Sequence, residues 1–395
     1  MLSDLYGDGL QYRENLLAKY FSRQGHEVTV LASTYESAID YQAERHDRHA
    51  PRREYLDGAA KIIKHPYSLN VLNRLRRFGG VAETLEREAP DLIISQDIHL
   101  NLHEAVAYKR RHPSCRLILD SSMDYTNSAR TWLSLRVLHG MVRKGLLSRW
   151  RRHIDRIYAV TPGTARFLHE VYDIPQEEIE LLPLGGDIDV AMTVMERGSG
   201  AVVRAQLGIP EAAVVLFSGG KFVPLKKTHV LVDAFLALDD PAVHLILIGE
   251  AEKGHEAYQQ AMVDACRGNP RAHFVGWVSG EKVYEFMAAS SIAVFPGSQS
   301  ALWQQAMSMG LPLIVGAETE WGNQDPSYMN PYGNMTILPL PEIRSDVIAG
   351  NIREIIDTPG ELSRRRTLSL RVADELLNYH RVVCTMIAAA RRPVR

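Results

Sequence analysis

The stretch FPGSQSALWQQAMSMGLPLIVG, Phe295 to Gly316, sets the reading of the whole chain. It closes one short apolar run, turns at Gly-Ser into a helix-like segment, and ends on Gly-Leu-Pro before a second apolar run. That is one strand–helix–strand unit. It carries amides and hydroxyls but no carboxylate. The junction between strand and helix is where such a unit offers a ligand site, because the first backbone N–H groups of a helix have no partner within it.

The same alternation extends outward on both sides. The second half continues it with AVVLFSGG from Ala213, VHLILIGE from Val243, AHFVGWV from Ala272 and MTILPL from Met335; the first half has EVTVLAS from Glu27, DLIIS from Asp91, RLILD from Arg116 and RIYAVT from Arg156. Apolar runs alternating with longer helical patterns predict an α/β fold built from two doubly wound, Rossmann-like domains with parallel sheets. The Gly-containing segment Val190–Glu211 reads as a linker, which puts the first domain at residues 1–191 and the second at 192–370. Residues 371–395 form an arginine-rich helical segment able to cross back to the first domain. At the other end, the loop SDLYGDG begins almost at Met1, where a doubly wound domain normally opens on a buried strand. Either the start lies upstream, which is the preferred expectation, or another segment fills the gap.

Composition excludes several classes. The formal net charge of −2 gives no basic excess for nucleic acid, and no apolar run reaches the roughly 18 residues that span a bilayer. With no signal-peptide pattern at the N-terminus, a cytoplasmic protein is expected. Cys115, Cys266 and Cys384 lack metal-ligand spacing and read as buried apolar residues.

Two loops at strand ends carry candidate chemistry. In LFSGGKFVPLKK, Gly219 and Gly220 let the backbone approach a ligand, and Lys221 and Lys226 supply cations for a diphosphate, unless the segment is a simple turn with solvated lysines. In the opening stretch, Ser298, Gln299 and Ser300 lie at the start of a helix, with Gln305 further along and able to reach ribose hydroxyls. The alternative is an N-cap followed by a solvated face. In a parallel sheet these two loops gather at one edge.

The run from GGKFVPLKK through LILIGE and FVGWVS to FPGSQSALWQQAMSMGLPLIV resembles the C-terminal domain of retaining GT-B glycosyltransferases of family 4. The first half resembles that family in GDGLQYRENLLAKYFSRQGHEVTVLAS and AVTPGTARFLHEVYDIPQEEIELLPLGGD. The resemblance implies two domains across a cleft and transfer of a hexose from a nucleoside-diphosphate sugar, UDP being the expected nucleotide, with retention. It implies no cofactor and no metal, and an acceptor in cell-surface polysaccharide or glycolipid synthesis. Lys221 and Lys226 stand where the family has an Arg and a Lys on the donor diphosphate. Gln305 stands at the second of two family glutamates, and Gln299 or Ser300 is nearest to the first. Gly9 lies in the Gly-rich first loop, and Trp277 and Val278, with Ser279, follow a strand that lines a base pocket or packs in the core. A family histidine is absent after RLILDSSMDYTNSAR, where Asp120, Ser122 and Asp124 are the candidate catalytic groups and Asn127 and Arg130 the acceptor contacts; Asp120 and Asp124 are equally readable as local caps. The Asp187-x-Asp189 pair sits at an interdomain turn and is not expected to bind a metal. The basic amphipathic segment Arg130–Arg156, with Leu135, Leu138, Val142, Leu146 and Trp150 at helical spacing, either packs on its sheet or touches an anionic membrane. A nucleotide-sugar epimerase and a non-catalytic binding protein are the alternative functions.

Overall fold

The structure is a computed structural model that describes residues 1–34, 50–72, 74–125, 127–129, 131–278, 280–319, 322–323 and 325–391. Two compact units make up the chain. The first comprises Met1–Pro183 with Tyr379–Arg395, the second Leu184–Asn378.

In the first unit, β1 (Thr29–Ser33), β2 (Arg53–Asp57) and β3 (Ala60–His65) associate in the order β1-β3-β2, with only β2 antiparallel. A hairpin follows, β4 (Tyr67–Val71) and β5 (Leu75–Phe78). Then β6 (Leu92–Gln96), β7 (Arg116–Ser121), β8 (Arg156–Ala159) and β9 (Ile179–Leu181) form a parallel run in sequential order. Residues Met1–Ser3 join the two groups. Leu2 donates to Ile94 O at 2.8 Å and accepts from Gln96 N at 2.9 Å, while Ser3 N bonds Leu31 O on the other side at 3.0 Å. The place of a central strand is therefore filled by three residues, which satisfy the backbone groups that β1 and β6 turn toward each other. Successive strand residues point to opposite faces: Leu117 and Leu119 enter one core, Ile118 the other. That second core is closed by the helix Tyr379–Arg391 packed on the helix Arg13–Arg23, with Tyr20 and Tyr379 rings 5.7 Å apart. The segment that returns to the first unit thus begins at Tyr379, not at 371.

The second unit is one six-stranded parallel sheet. Its strands are β10 (Val214–Gly219), β11 (Val243–Ile248), β12 (Ala272–Gly276), β13 (Ile292–Phe295), β14 (Leu313–Gly316) and, beyond a two-residue pair β15 (Glu318–Thr319) and β16 (Gly322–Asn323), β17 (Met335–Leu338). The order β12-β11-β10-β13-β14-β17 reverses direction between β10 and β13. Helices cover both faces, so the strands read as continuous apolar runs, and all six residues of β11 are buried. Val215 and Phe217 pack into one core and Leu216 into the other.

The expected linker is instead two helices, Ile188–Glu196 and Ser199–Leu207, on the second sheet, and the units divide at residue 184 rather than 192. Gly200 explains why a flexible-looking composition packs there: a Cβ at that position would lie 2.5 Å from Ala288 O. Cys115 and Cys266 are buried as expected, but Cys384 is exposed beside Gln24. No helix of the described residues is long and apolar enough to cross a membrane.

Candidate functional site

In an open α/β sheet, ligands bind outside the carboxyl ends of the strands, at the point where strand order reverses. In the second unit that point lies between β10 and β13. The loop after β10 starts at Gly219–Gly220, and Gly220 has φ +111°, with its N–H on Ile248 O at 3.0 Å. Gly249, after β11, has φ +121°, and a Cβ there would come within 1.9 Å of Gly220 O. Only glycine permits this approach. The loop after β13 meets the first one directly. Ser298 N–H donates to Leu225 O at 3.1 Å, and a Cβ on Gly297 would lie 2.3 Å from the same oxygen.

Lys226 ties the two loops together. Its Nζ donates to Ser298 O at 2.7 Å and Gln299 O at 3.1 Å, and burial, with the nearby Lys221 charge, pulls its pKa down to about 8. Lys221 is ion-paired with Glu252. The two candidate loops therefore meet as expected, and both lysines are engaged with protein groups. Ser300 caps the helix Ala301–Ser308 by its extended backbone without a side-chain bond. Gln299 Nε2 donates to Tyr328 OH at 3.0 Å, and Gln304 Nε2 approaches the same oxygen at 3.4 Å. Burial pushes the Tyr328 hydroxyl up to about 12, so it stays protonated and neutral. Gln304 and Gln305 are both buried, which overturns the reading of a solvated glutamine face. Trp277 is half exposed, with its N–H 3.4 Å from Glu250 Oε1, and Val278 packs partly against the core. Ser279 lies outside the described residues.

The first unit carries its own pocket, of about 320 Å³, at the carboxyl ends of Met1–Ser3, β6 and β7. Asp120 does not serve it as a free carboxylate. Arg13 grips it in a bidentate pair, Nε to Oδ2 at 2.6 Å and Nη2 to Oδ1 at 2.8 Å, and also bonds Pro183 O at 2.9 Å; both partners are buried. Asp124 and Asn127 bond each other's backbone N–H groups across a turn, and Asn127 Nδ2 donates to Ser122 O at 2.7 Å. Asp124 thus shapes a turn, whereas Ser122 and Asn127 line the pocket. Arg130 lies outside the described residues. Gly9, at φ +71°, is an exposed turn residue of this unit. Asp187 is a buried helix cap that accepts from Val190 N at 3.3 Å.

Asp97 is a carboxylate lining the pocket that sequence reasoning missed. It sits just after β6 at φ +58° and accepts from Ser121 Oγ at 3.0 Å, Ser122 N at 2.7 Å and Ser122 Oγ at 3.0 Å. Burial raises its pKa despite these donors. Glu14, at the start of the helix Arg13–Arg23, is raised to about 7, first by burial and then by the Asp97 and Asp120 charges. A carboxyl that binds its proton more tightly in the folded state contributes stability below its unfolded pKa, about 4.3, and loses it as pH rises through 7. Glu14→Gln is thus expected to remove a fall in melting temperature between about pH 4.5 and 7; identical pH profiles for both proteins would contradict this. The available signal for Asp97 was its place directly after β6, the same offset that Gly220 has after β10.

Comparison with known proteins gives a match in each unit. A model described as Glycosyltransferase Family 4 matches residues 9–190, and one described as Glycosyl transferases group 1 matches residues 212–325. The lipopolysaccharide core biosynthesis glycosyltransferase LpsE of Rhizobium meliloti is 28% identical over 169 residues, 41% of this chain and 44% of that protein. A D-inositol 3-phosphate glycosyltransferase of Nocardioides sp. is 28% identical over 181 residues, 41% of this chain and 39% of its own. The match spans less than half of either relative. Among solved structures, Anabaena Alr3699/HepE in complex with UDP and glucose superposes with a TM-score of 0.67 at 17% identity, covering 98% of this chain and 97% of that one. An E. coli structure described as trehalose-6-phosphate bound with UDP-2-fluoro glucose gives 0.69 at 12% identity, covering 100% and 99%. These likenesses establish the fold.

Proposed function

Because the chain belongs to the glycosyltransferases of group 1, family 4 type and has their GT-B fold, we propose that it moves a hexose from a UDP-sugar to a hydroxyl of a glycan or lipid-linked acceptor, with retention. The observation that carries this reading is the meeting of the Gly219–Lys226 and Gly297–Ser300 loops where the second sheet reverses its strand order. A diphosphate at that point is met by the Lys226 ammonium, by Lys221, and by the amino end of the helix Ala301–Ser308, which favours negative charge. Those groups supply the charge that stabilises a leaving nucleoside diphosphate, so no metal is called for. The HepE complexes with UDP and with UDP-glucose support a UDP-sugar donor. Titration calorimetry with UDP, GDP and ADP, without and with magnesium, tests the reading. Binding of UDP in the absence of magnesium is expected; a folded protein that binds none of the three would overturn it.

The acceptor side is read as facing an anionic membrane. In the segment 131–150 the structure corrects the expected apolar face: Trp150 and Leu147 are buried and Leu135 and Leu146 are packed partly inward, but Val142 is exposed. Residues Ser134–Arg143 are wound as a π-helix, whose i→i+5 bonding shifts the phase of the side chains. Trp132 (72% exposed) and Met141 (68%) point outward with Leu133, beside the exposed Arg136 and Arg149. Arg143 links this helix to the β4–β5 hairpin by a bond to Arg74 O, and the hairpin adds exposed Leu72. A segment that exposes both large apolar side chains and arginines suits an anionic bilayer surface. Replacing Trp132 and Met141 together by serine is expected to reduce binding to phosphatidylserine vesicles several-fold with no change in melting temperature; equal retention on those vesicles would remove this surface.

A further inference from the structure

The loops after β10 and β11 stay paired beyond the ends of their strands. Phe222 N donates to Glu250 O at 2.8 Å, and Phe222 bridges Ala251 in parallel. A charged residue flanks this bridge on each loop, Lys221 on the first and Glu252 on the second, and their side chains form an ion pair. The backbone around Glu252 is fixed: Ala251 N donates to Gln259 Oε1 at 2.7 Å, and Glu252 O accepts from His255 N at 2.9 Å. The side chains are less confined, with Lys221 35% and Glu252 40% exposed.

Glu252 acts on the second lysine as well. After burial, the charges that act on Lys226 are those of Lys221, which lowers its pKa, and Glu252, which raises it. One carboxylate therefore lies within electrostatic reach of both cations that a diphosphate would use. An ion pair this exposed is weak, so a phosphate oxygen readily takes the place of the carboxylate on Lys221. The displaced carboxylate stays close, because its backbone is held, and repels the charge that replaced it. The strength of that repulsion depends on the ligand. In a nucleoside-diphosphate sugar each phosphate carries one negative charge. When the sugar leaves, the β-phosphate oxygen keeps the electron pair of the broken bond, so the diphosphate gains one charge. A terminal phosphate has its second pKa near 6, so at pH 7 most of that extra charge remains.

We propose that Glu252 sets the balance between donor and product: it is a specificity-determining residue that disfavours UDP against the UDP-sugar and so promotes release of the product. This rests on the reading above in which the second unit takes a UDP-sugar.

The test is titration of the full chain with UDP and with UDP-glucose, without magnesium and then with it, for wild type and Glu252→Gln. Asp264→Asn, at an exposed position of the helix Glu256–Ala265, serves as the control for net charge. Glu252→Gln is expected to tighten both ligands, and UDP about three- to fivefold more than UDP-glucose, the scale of one added charge at a half-exposed site. Asp264→Asn keeps the wild-type ratio of the two affinities. Equal tightening of both ligands, no tightening, or the same change of ratio in Asp264→Asn overturns the proposal, because loop shape and net charge act on both ligands alike. So does a UDP affinity that rises with magnesium in wild type and not in Glu252→Gln, which would make Glu252 a ligand of a metal shared with the diphosphate. A folded wild type that binds neither ligand strikes the donor reading and this inference with it; binding of both at a ratio unmoved by Glu252→Gln strikes the inference alone.

Discussion

Asp120→Asn is expected to lower the melting temperature of the first unit by about 6–20 °C, from the roughly 3–5 kcal/mol that follows when one partner of a buried ion pair is removed. The substitution keeps the shape of the side chain but strands the Arg13 guanidinium, which is buried and bonded to both Asp120 oxygens. In a chain of two units the effect is confined to one transition in calorimetry, and the transition of the second unit stays where it is. A paired replacement, Arg13→Met with Asp120→Leu, recovers most of the loss, because a well-packed apolar pair is often as stable as a buried ionic one. An unshifted first transition in Asp120→Asn would mean that the pair contributes little. The consequence for the pocket is geometric. Asp120 O accepts from Asp97 N at 2.9 Å, so the ion pair anchors the strand end on which Asp97 is held.

Lys226→Met is expected to weaken UDP binding by about 1.5–3 kcal/mol, or roughly 10- to 150-fold, the range for hydrogen bonds to charged groups. The wild-type protein should show a matching pH signature. With its pKa lowered to about 8, Lys226 loses its proton as pH rises from 7 to 9.5, and UDP affinity falls in step. Stability runs the other way. A lysine with a lowered folded pKa binds its proton less tightly folded than unfolded, so the cost of burying the charge is present below pH 8 and is relieved as pH rises from about 8 toward 10.5. Affinity falling while thermal stability rises over one pH window, with both trends flattened in Lys226→Met, identifies the ammonium itself. UDP affinity unchanged in the variant would remove Lys226 from the site.

Several features of this chain were legible because they depend on local chemistry. The alternation of apolar runs and helical segments specifies parallel sheets wherever it occurs, and the glycines after β10 mark a backbone approach that no other residue allows. Lys221, Lys226 and Ser298 to Ser300 could be assigned to one edge because in a parallel sheet all loops after the strands lie on the same side. The role of Asp120 could not be read this way. Its partner, Arg13, is 107 residues away, and a carboxylate at a strand end has the same local sequence whether it is free or clamped. Asp97 was missed for the converse reason: nothing in its neighbours reveals that Ser121 and Ser122, at the end of the adjacent strand, direct three donors at it.

The segment taken for a linker failed because small residues serve equally in flexible chain and in close helix packing, and only the proximity of Ala288 to Gly200 decides between them. Residues Met1–Ser3 show the same dependence on distant partners: their pairing with β1 and β6 rests on hydrogen bonds that no local pattern announces. By itself, then, the sequence determined the fold class, the strand runs and the loops that meet where the second sheet reverses its strand order, because periodicity and glycine sterics act over a few residues. Only the tertiary structure decided that Asp97 lines the first pocket, that Asp120 is spent on an arginine, and where one unit ends, because those outcomes depend on groups far apart in the chain competing for the same partners.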